Sequence, residues 1–260
     1  MIKDYLRRLY ILKPISHVVS VISSPWKGKG AILMYHRILP DSEINEDHEI
    51  GLAVAKSNFE KQIKTLSSNY KIVSMDEFVN NLDKKNSEFM VAITFDDGYR
   101  DNFEIAAPIL FELKIPFSVF VVTDYIRNEK KGFMNPSMLR ELSKNPLVTI
   151  GSHSKSHIPL TSCNQEELKI EISESKSYLE DLLGEEISMF SYPHGKFNSL
   201  VKDAVLKGGY KLAFTSHYDV NHLNQDKLAL NRNEIWNTDN LQILKNKIAG
   251  DWDWLKYRSL

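Results

Sequence analysis

Beyond residue 30 the chain alternates two kinds of pattern. Short unbroken apolar runs mark buried strands, and longer stretches with apolar residues every three or four positions mark helices packed by one face. Apolar runs predict strands over 31–35, 70–74, 91–95, 117–122, 148–151, 189–192 and 212–215, with another inside 228–236. Helical spacing predicts helices over 57–66, 75–82, 105–113, 137–142, 166–183, 199–206 and 241–248. Some carry their own punctuation. Ser57 stands as an N-cap before Phe59, Ile63 and Leu66, which share one face, and Gly184 and the Gly208-Gly209 pair end two helices.

This alternation predicts an α/β fold with a parallel sheet, and about seven such units predict a distorted (β/α) barrel. In a barrel of that kind the C-terminal strand ends share one face, where reactive side chains collect. His36, Asp96, Asp97, His153 and Pro193-His194-Gly195 all stand at predicted strand ends. Convergence on one face is therefore expected of them.

Composition narrows the partners. The 260 residues carry a formal net charge of -1, with 42% hydrophobic and 26% charged residues, ordinary values for a globular chain. No clustered basic excess points to nucleic acid. The single cysteine, Cys163, precludes an internal disulfide and reads as a helix-entry residue in a polar stretch. No apolar run reaches the ~18 residues of a membrane span. Residues 1–29 read as a separate segment and connector before the main domain over 30–260. The segment carries Lys3, Arg7 and Arg8, and Lys13, Pro14 and His17 interrupt its apolar runs, unlike a secretory signal. It reads either as a helix packed outside the domain or as a basic amphipathic segment on an anionic membrane surface. The expected location is cytoplasmic or peripheral to the inner membrane, with an extracytoplasmic one open. The aromatic, acidic tail from Asp251 to Tyr257 is expected to cover the barrel.

His153 and His157 are four residues apart, a spacing that lets two imidazoles meet one ion if the segment makes a helical turn. Asp96-Asp97 places two carboxylates side by side after a buried strand, an arrangement that a cation relieves. Separately, each has a plain structural reading as a cap, a turn or a surface pair. Together they predict a His-His-Asp site for Zn²⁺ or another first-row divalent ion, with positions left for water and substrate.

These motifs resemble those of the polysaccharide deacetylase (NodB-homology) family. Thr94-Phe95-Asp96-Asp97-Gly98 is similar to its first motif, His153-Ser154 through His157 to its second, and Phe190-Ser191-Tyr192-Pro193-His194-Gly195 to its third. Gly209-Tyr210 through Thr215 resembles the strand that follows, so the likeness runs over about 30–236. It implies metal-dependent removal of N-acetyl groups from a glycan, releasing acetate. Asp97, His153 and His157 would bind the metal, and Asp96 would be the general base. The backbone N–H of His194 would face the oxyanion. The ligand set does not choose among Zn²⁺, Co²⁺, Ni²⁺ and Fe²⁺.

The chain departs from that pattern in two places. Ser191 stands where the third motif opens with a base-orienting Arg, and the segment from Leu228 to Arg232 lacks the late Leu-x-His that supplies the acid. The poly-N-acetylglucosamine deacetylase-like subset is a better match, because its acid follows a Tyr near the domain start. Tyr35-His36 matches it, which makes His36 the general acid, against a plain role as a strand-end His bonding a carbonyl. Arg232 or Arg100 is expected to replace the missing Arg, each with a surface salt bridge as its alternative. Tyr192 is either a groove wall for a sugar ring or core. Rival functions are deacetylation or deformylation of a lipid-linked sugar, a catalytically inactive glycan-binding module, and an unrelated metal hydrolase on the same barrel.

Overall fold

The computed structural model describes residues 28–44 and 52–251. The N-terminal segment up to residue 27 and the tail beyond Asp251 lie outside the described residues, and so do the expectations for them. Ten strands are described: β1 (Gly30–Tyr35), β2 (Arg37–Leu39), β3 (Ala53–Ala55), β4 (Lys71–Ile72), β5 (Met90–Phe95), β6 (Phe117–Val121), β7 (Val148–Ser152), β8 (Met189–Ser191), β9 (Leu212–Phe214) and β10 (Asn233–Glu234). Eight form one sheet in the order β10-β1-β5-β6-β7-β8-β9, with β4 paired to β5 off this path. Every pairing is parallel. The short β2 and β3 pair separately.

The sheet curls, and the segment leading into β10 joins its two ends. Leu230 bridges to Phe214 of β9 just before β10 pairs with β1. The Leu230 N–H donates to Ala213 O at 2.9 Å, and the Thr215 N–H donates to Leu230 O at 2.9 Å. The expected barrel is therefore present in distorted form, with its seam held by one short irregular stretch. The strand expected within 228–236 shrinks to Asn233–Glu234, because the chain must turn from one neighbour to the other.

Strand parity sorts the core into two bodies. Ala31, Leu33 and Tyr35 of β1 and Val91, Ile93 and Phe95 of β5 pack with helix residues such as Phe59, Ile63 and Leu66. Ile32 and Ala92, on the other face, pack with Phe120, Met189, Phe214 and Leu230 from across the sheet. The second body is the barrel interior. Thr94 and Asp96 continue its parity beyond Ala92, so Asp96 points into the mouth.

Three helix expectations are corrected. The first helix is Lys56–Asn69, and Ser57 lies inside it rather than capping it. Asp41 supplies the first-turn acceptor instead, taking hydrogen bonds from the Ser57 N–H at 3.1 Å and from the Ser57 hydroxyl. The helix expected over 105–113 starts earlier, as a π-turn over Asn102–Ala106 before α-helix Ala107–Glu112. Pro108 cannot donate a backbone hydrogen bond, and the widened turn accommodates it. The long helix is Gln165–Lys169, a π-turn over Ile170–Glu174, then Ser175–Leu183 closed by left-handed Gly184. Among the described residues no helix is long and apolar enough to cross a membrane.

Candidate active site and metal centre

The β1–β5 register fixes the first pair of groups. Tyr35 pairs with Phe95, so the residues that follow, His36 and Asp96, leave neighbouring strand ends side by side. The Asp96 N–H donates to Tyr35 O at 3.0 Å. Asp96 is 2% exposed and Arg232 1%. Arg232 grips it with two bonds of 2.7 Å, Nη1 to Oδ1 and Nη2 to Oδ2. This paired geometry is the strong form of carboxylate recognition. The guanidinium is itself held by Thr215 O, Ser191 Oγ and Thr94 Oγ1, and lies over the rings of Phe120 and Phe214. Ser191 Oγ also donates to Asp96 Oδ2 at 3.1 Å. Burial opposes the Asp96 charge, but Arg232, His153 and His36 outweigh it and hold the carboxyl well below the usual range. Asp96 is therefore ionised at neutral pH.

Asp97, His153 and His157 bring one ligand atom each to a common point. His153 Nε2 and His157 Nε2 both lie 3.4 Å from Asp97 Oδ1, and 3.2 Å from each other. A tetrahedral ion bound at about 2.0–2.1 Å has ligand–ligand edges of about 3.3 Å. Asp97 Oδ1 is buried and accepts no hydrogen bond among the described residues. His153 Nδ1 lies 2.8 Å from Ser191 O. That carbonyl selects the Nδ1–H tautomer and leaves the Nε2 lone pair facing the cluster. Burial first, then His153, lowers the His157 pKa to about 4, with Asp97 opposing. Its neutral, ligating form therefore prevails at neutral pH. Edges, orphaned oxygen and donor set all fit a divalent cation.

The two imidazoles do not converge through a helical turn. The segment from His153 to His157 is a loop, with Ser154 and His157 in the left-handed region (φ 66° and 64°). Asp97 (φ 72°) and His194 (φ 57°) share that uncommon conformation, so four of the seven described non-glycine residues with positive φ sit in this site. Strained backbone concentrates where the side chains must be aimed.

The remaining expectations divide. Of the two arginines, Arg232 reaches Asp96. Arg100 is exposed at a helix start, has no described bond to Asp96, and donates its N–H to Gly132 O. Tyr192 is fully buried, stacked on Phe197, with its hydroxyl donating to Leu228 O, so its ring is core and no groove wall. The His194 side chain is exposed at the rim, its ring 4.6 Å from that of His157. His36 is buried, and its Nδ1 has no described hydrogen-bond partner. The structural alternative for His36, a ring bonded to a carbonyl, finds no support at that nitrogen. Cys163 closes a short turn just ahead of the Asn164 cap, as a helix-entry residue.

Sequence reasoning missed two groups that hold this site. Asn102 Nδ2 donates to His36 O at 2.7 Å, and Glu171 binds the loop between the two histidines. Glu171 left a legible signal: it shares one helix face with Leu168, Ile172 and Ser175, where a lone carboxylate is out of place. Gly195 shows how tightly the third motif is built. Its φ is +65°, and an added Cβ would stand 1.8 Å from Ser216 Oγ. Gly195→Ala is expected to destabilise the protein by more than the about 1–2 kcal/mol of a left-handed residue alone. Urea denaturation measures this, and an unchanged midpoint would refute it.

The family model described as polysaccharide deacetylase matches residues 83–213, just over half of the chain. The chain belongs to the polysaccharide deacetylase family. Within that matched stretch lie Asp96, Asp97, His153, His157 and the third motif; His36 and Arg232 lie outside it. A poly-beta-1,6-N-acetyl-D-glucosamine N-deacetylase of Staphylococcus aureus is 28% identical over 243 residues, covering 80% of this chain and 82% of its own. Among solved structures, the Streptococcus pyogenes deacetylase PplD superposes with TM-score 0.77 at 22% identity, over 86% of this chain and 99% of that one. A de-N-acetylase from Aggregatibacter actinomycetemcomitans superposes with TM-score 0.72 at 19% identity, over 84% and 99%. At these identities the superpositions establish the family's fold.

Proposed function

We propose that this family member hydrolyses N-acetyl groups on the amino sugars of a glycan, releasing acetate, with a divalent metal held by Asp97, His153 and His157. The observation that carries the reading is the buried carboxylate Asp96, kept ionised by Arg232 directly beside three ligand atoms spaced for one cation. The similarity to a poly-N-acetylglucosamine deacetylase supports an N-acetylated amino-sugar polymer as the substrate class. Two imidazoles and one carboxylate suit Zn²⁺, and equally Co²⁺, Ni²⁺ or Fe²⁺. Bound there, the ion supplies Lewis acidity toward the acetamide carbonyl and raises the acidity of water.

The protein's own groups do the rest. Asp96 accepts the proton of the attacking water. Arg232 fixes its orientation and occupies both its oxygens, which keeps it ionised but makes it a weak base. The backbone N–H of His194 faces the charge that develops on the carbonyl oxygen. His36, beside Asp96 across the β1–β5 register, delivers a proton to the departing amine. Ser191, where the family's Arg is expected, leaves room for Arg232 to enter from the barrel seam.

The test is acetate release from N-acetylglucosamine oligomers by protein stripped with a chelator and then reloaded with Zn²⁺. Release is expected only after reloading. Undiminished release by the stripped protein would sink metal dependence. No release from loaded protein would sink this substrate class.

A further inference from the structure

We propose that Glu171 is the positioning residue that shapes the loop carrying His153 and His157 and so sets the affinity of the metal centre; this role rests on the metal-dependent reading above. The loop is irregular: the His153 N–H still reaches Val121 O of β6, but the four amides that follow find no backbone partner among the described residues. Four consecutive N–H groups are instead bound by three side chains. Ser154 N–H donates to Ser152 Oγ at 3.2 Å, and His157 N–H to Ser154 Oγ at 3.1 Å. Both acceptors belong to the loop or its strand. The two amides between them, of Lys155 and Ser156, donate to Glu171 Oε2 at 3.1 and 2.9 Å. The Ser156 hydroxyl donates to Oε1 at 2.6 Å. Among the described residues Glu171 is thus the one acceptor from outside the loop and β7 that these four amides use.

On the opposite side the loop carbonyls are taken by the first turn of helix Thr123–Arg127. The Thr123 N–H donates to Ser154 O at 3.2 Å, and the Asp124 N–H to Lys155 O at 2.9 Å. Glu171 therefore closes a clamp across the two residues midway between the ligating imidazoles. The clamp maintains left-handed Ser154 and His157, conformations that cost energy without such support. Glu171 reaches this place from the π-turn Ile170–Glu174, and the residue is only 6% exposed. A widened turn at this point of an otherwise α-helical stretch is a common mark of functional placement.

The experiment compares Zn²⁺ affinity, by competition with a chromophoric chelator, for the parent and for Glu171→Ala, Glu171→Asp and Glu171→Gln, each also melted metal-free. Glutamine can keep all three contacts: its oxygen takes both amides and its NH₂ donates to Ser156 Oγ. Aspartate keeps the charge but withdraws it by one methylene. Glu171→Ala is expected to lose about 10- to 100-fold in affinity, the range for groups that hold metal ligands. Glu171→Gln should stay near the parent and Glu171→Asp should fall with Ala. If Glu171→Ala does not fold metal-free, the order of Gln and Asp decides. Parent-like affinity in Glu171→Ala overturns the role, as does parent-like Asp with a weakened Gln. No Zn²⁺ binding by the parent overturns the metal-dependent reading itself, and this role with it.

Discussion

Asp96→Asn is expected to lower acetate release by about 10²- to 10⁴-fold, the contribution of a general base, while Asp97, His153 and His157 still load metal. The substitution also leaves Arg232 buried without a counter-charge, because an amide offers one acceptor and turns an NH₂ toward the other Nη. Losing one partner of a buried pair costs about 3–5 kcal/mol. Lower turnover alone would therefore not separate base from ion pair. The double variant Asp96→Asn with Arg232→Met does separate them. Removing both charges should restore much of the stability, read as the denaturation midpoint, and none of the turnover. Recovery of turnover together with stability would reduce Asp96 to a structural partner. Parent-like turnover in Asp96→Asn alone would do the same.

Arg232→Met is expected to destabilise the protein by about 3–5 kcal/mol at neutral pH, because Asp96 stays buried and loses the guanidinium that offsets its burial. In the parent, the Asp96 carboxyl is held below its unfolded value of about 3.9. Its contribution to stability is complete above that value and is lost as pH falls through the lower folded one. In Arg232→Met only His153 and His36 still oppose burial, and the carboxyl rises. The stability gap between the two proteins should therefore narrow as pH falls through the variant's raised value and on toward the parent's lower one. Activity provides an independent reading. The base works only when ionised, so the acid limb of the kcat/KM profile should move to higher pH in Arg232→Met. A gap that widens on acidification, or an unmoved acid limb, would show that Arg232 does not hold the ionisation of Asp96.

The pairing of Asp96 with Arg232 is also where this chain departs from the expected third motif. The expected third-motif Arg is Ser191, which accepts from Arg232 and donates to Asp96. In this chain Arg232, from the segment that closes the barrel seam, pairs with Asp96, and the Ser191 hydroxyl bonds both. Arg100 offered the same chemistry in the sequence, yet the helix that follows Gly98 carries it to the surface.

What the sequence by itself determined was whatever depends on short-range pattern. Apolar runs and helical spacing located most elements. The buried run over 91–95 placed Asp96-Asp97 at a strand end, and their grouping with His153 and His157 marked the candidate metal centre. Such features follow from steric alternation and from the chemistry of neighbouring residues, both of which are written locally. Tertiary structure alone decided the rest. His36 stands beside Asp96 because of a parallel register between strands about 60 residues apart. Arg232 and not Arg100 reaches Asp96 because the sheet closes through Leu230. Tyr192 is core because its hydroxyl finds Leu228 O. The two histidines converge through left-handed loop residues, held from a distant π-turn by Glu171, and not through the helical turn their spacing suggested. The physical reason is the same in each case. A long-range hydrogen bond or ion pair forms where closure of the fold makes it possible, and neither partner's local sequence carries a record of the other.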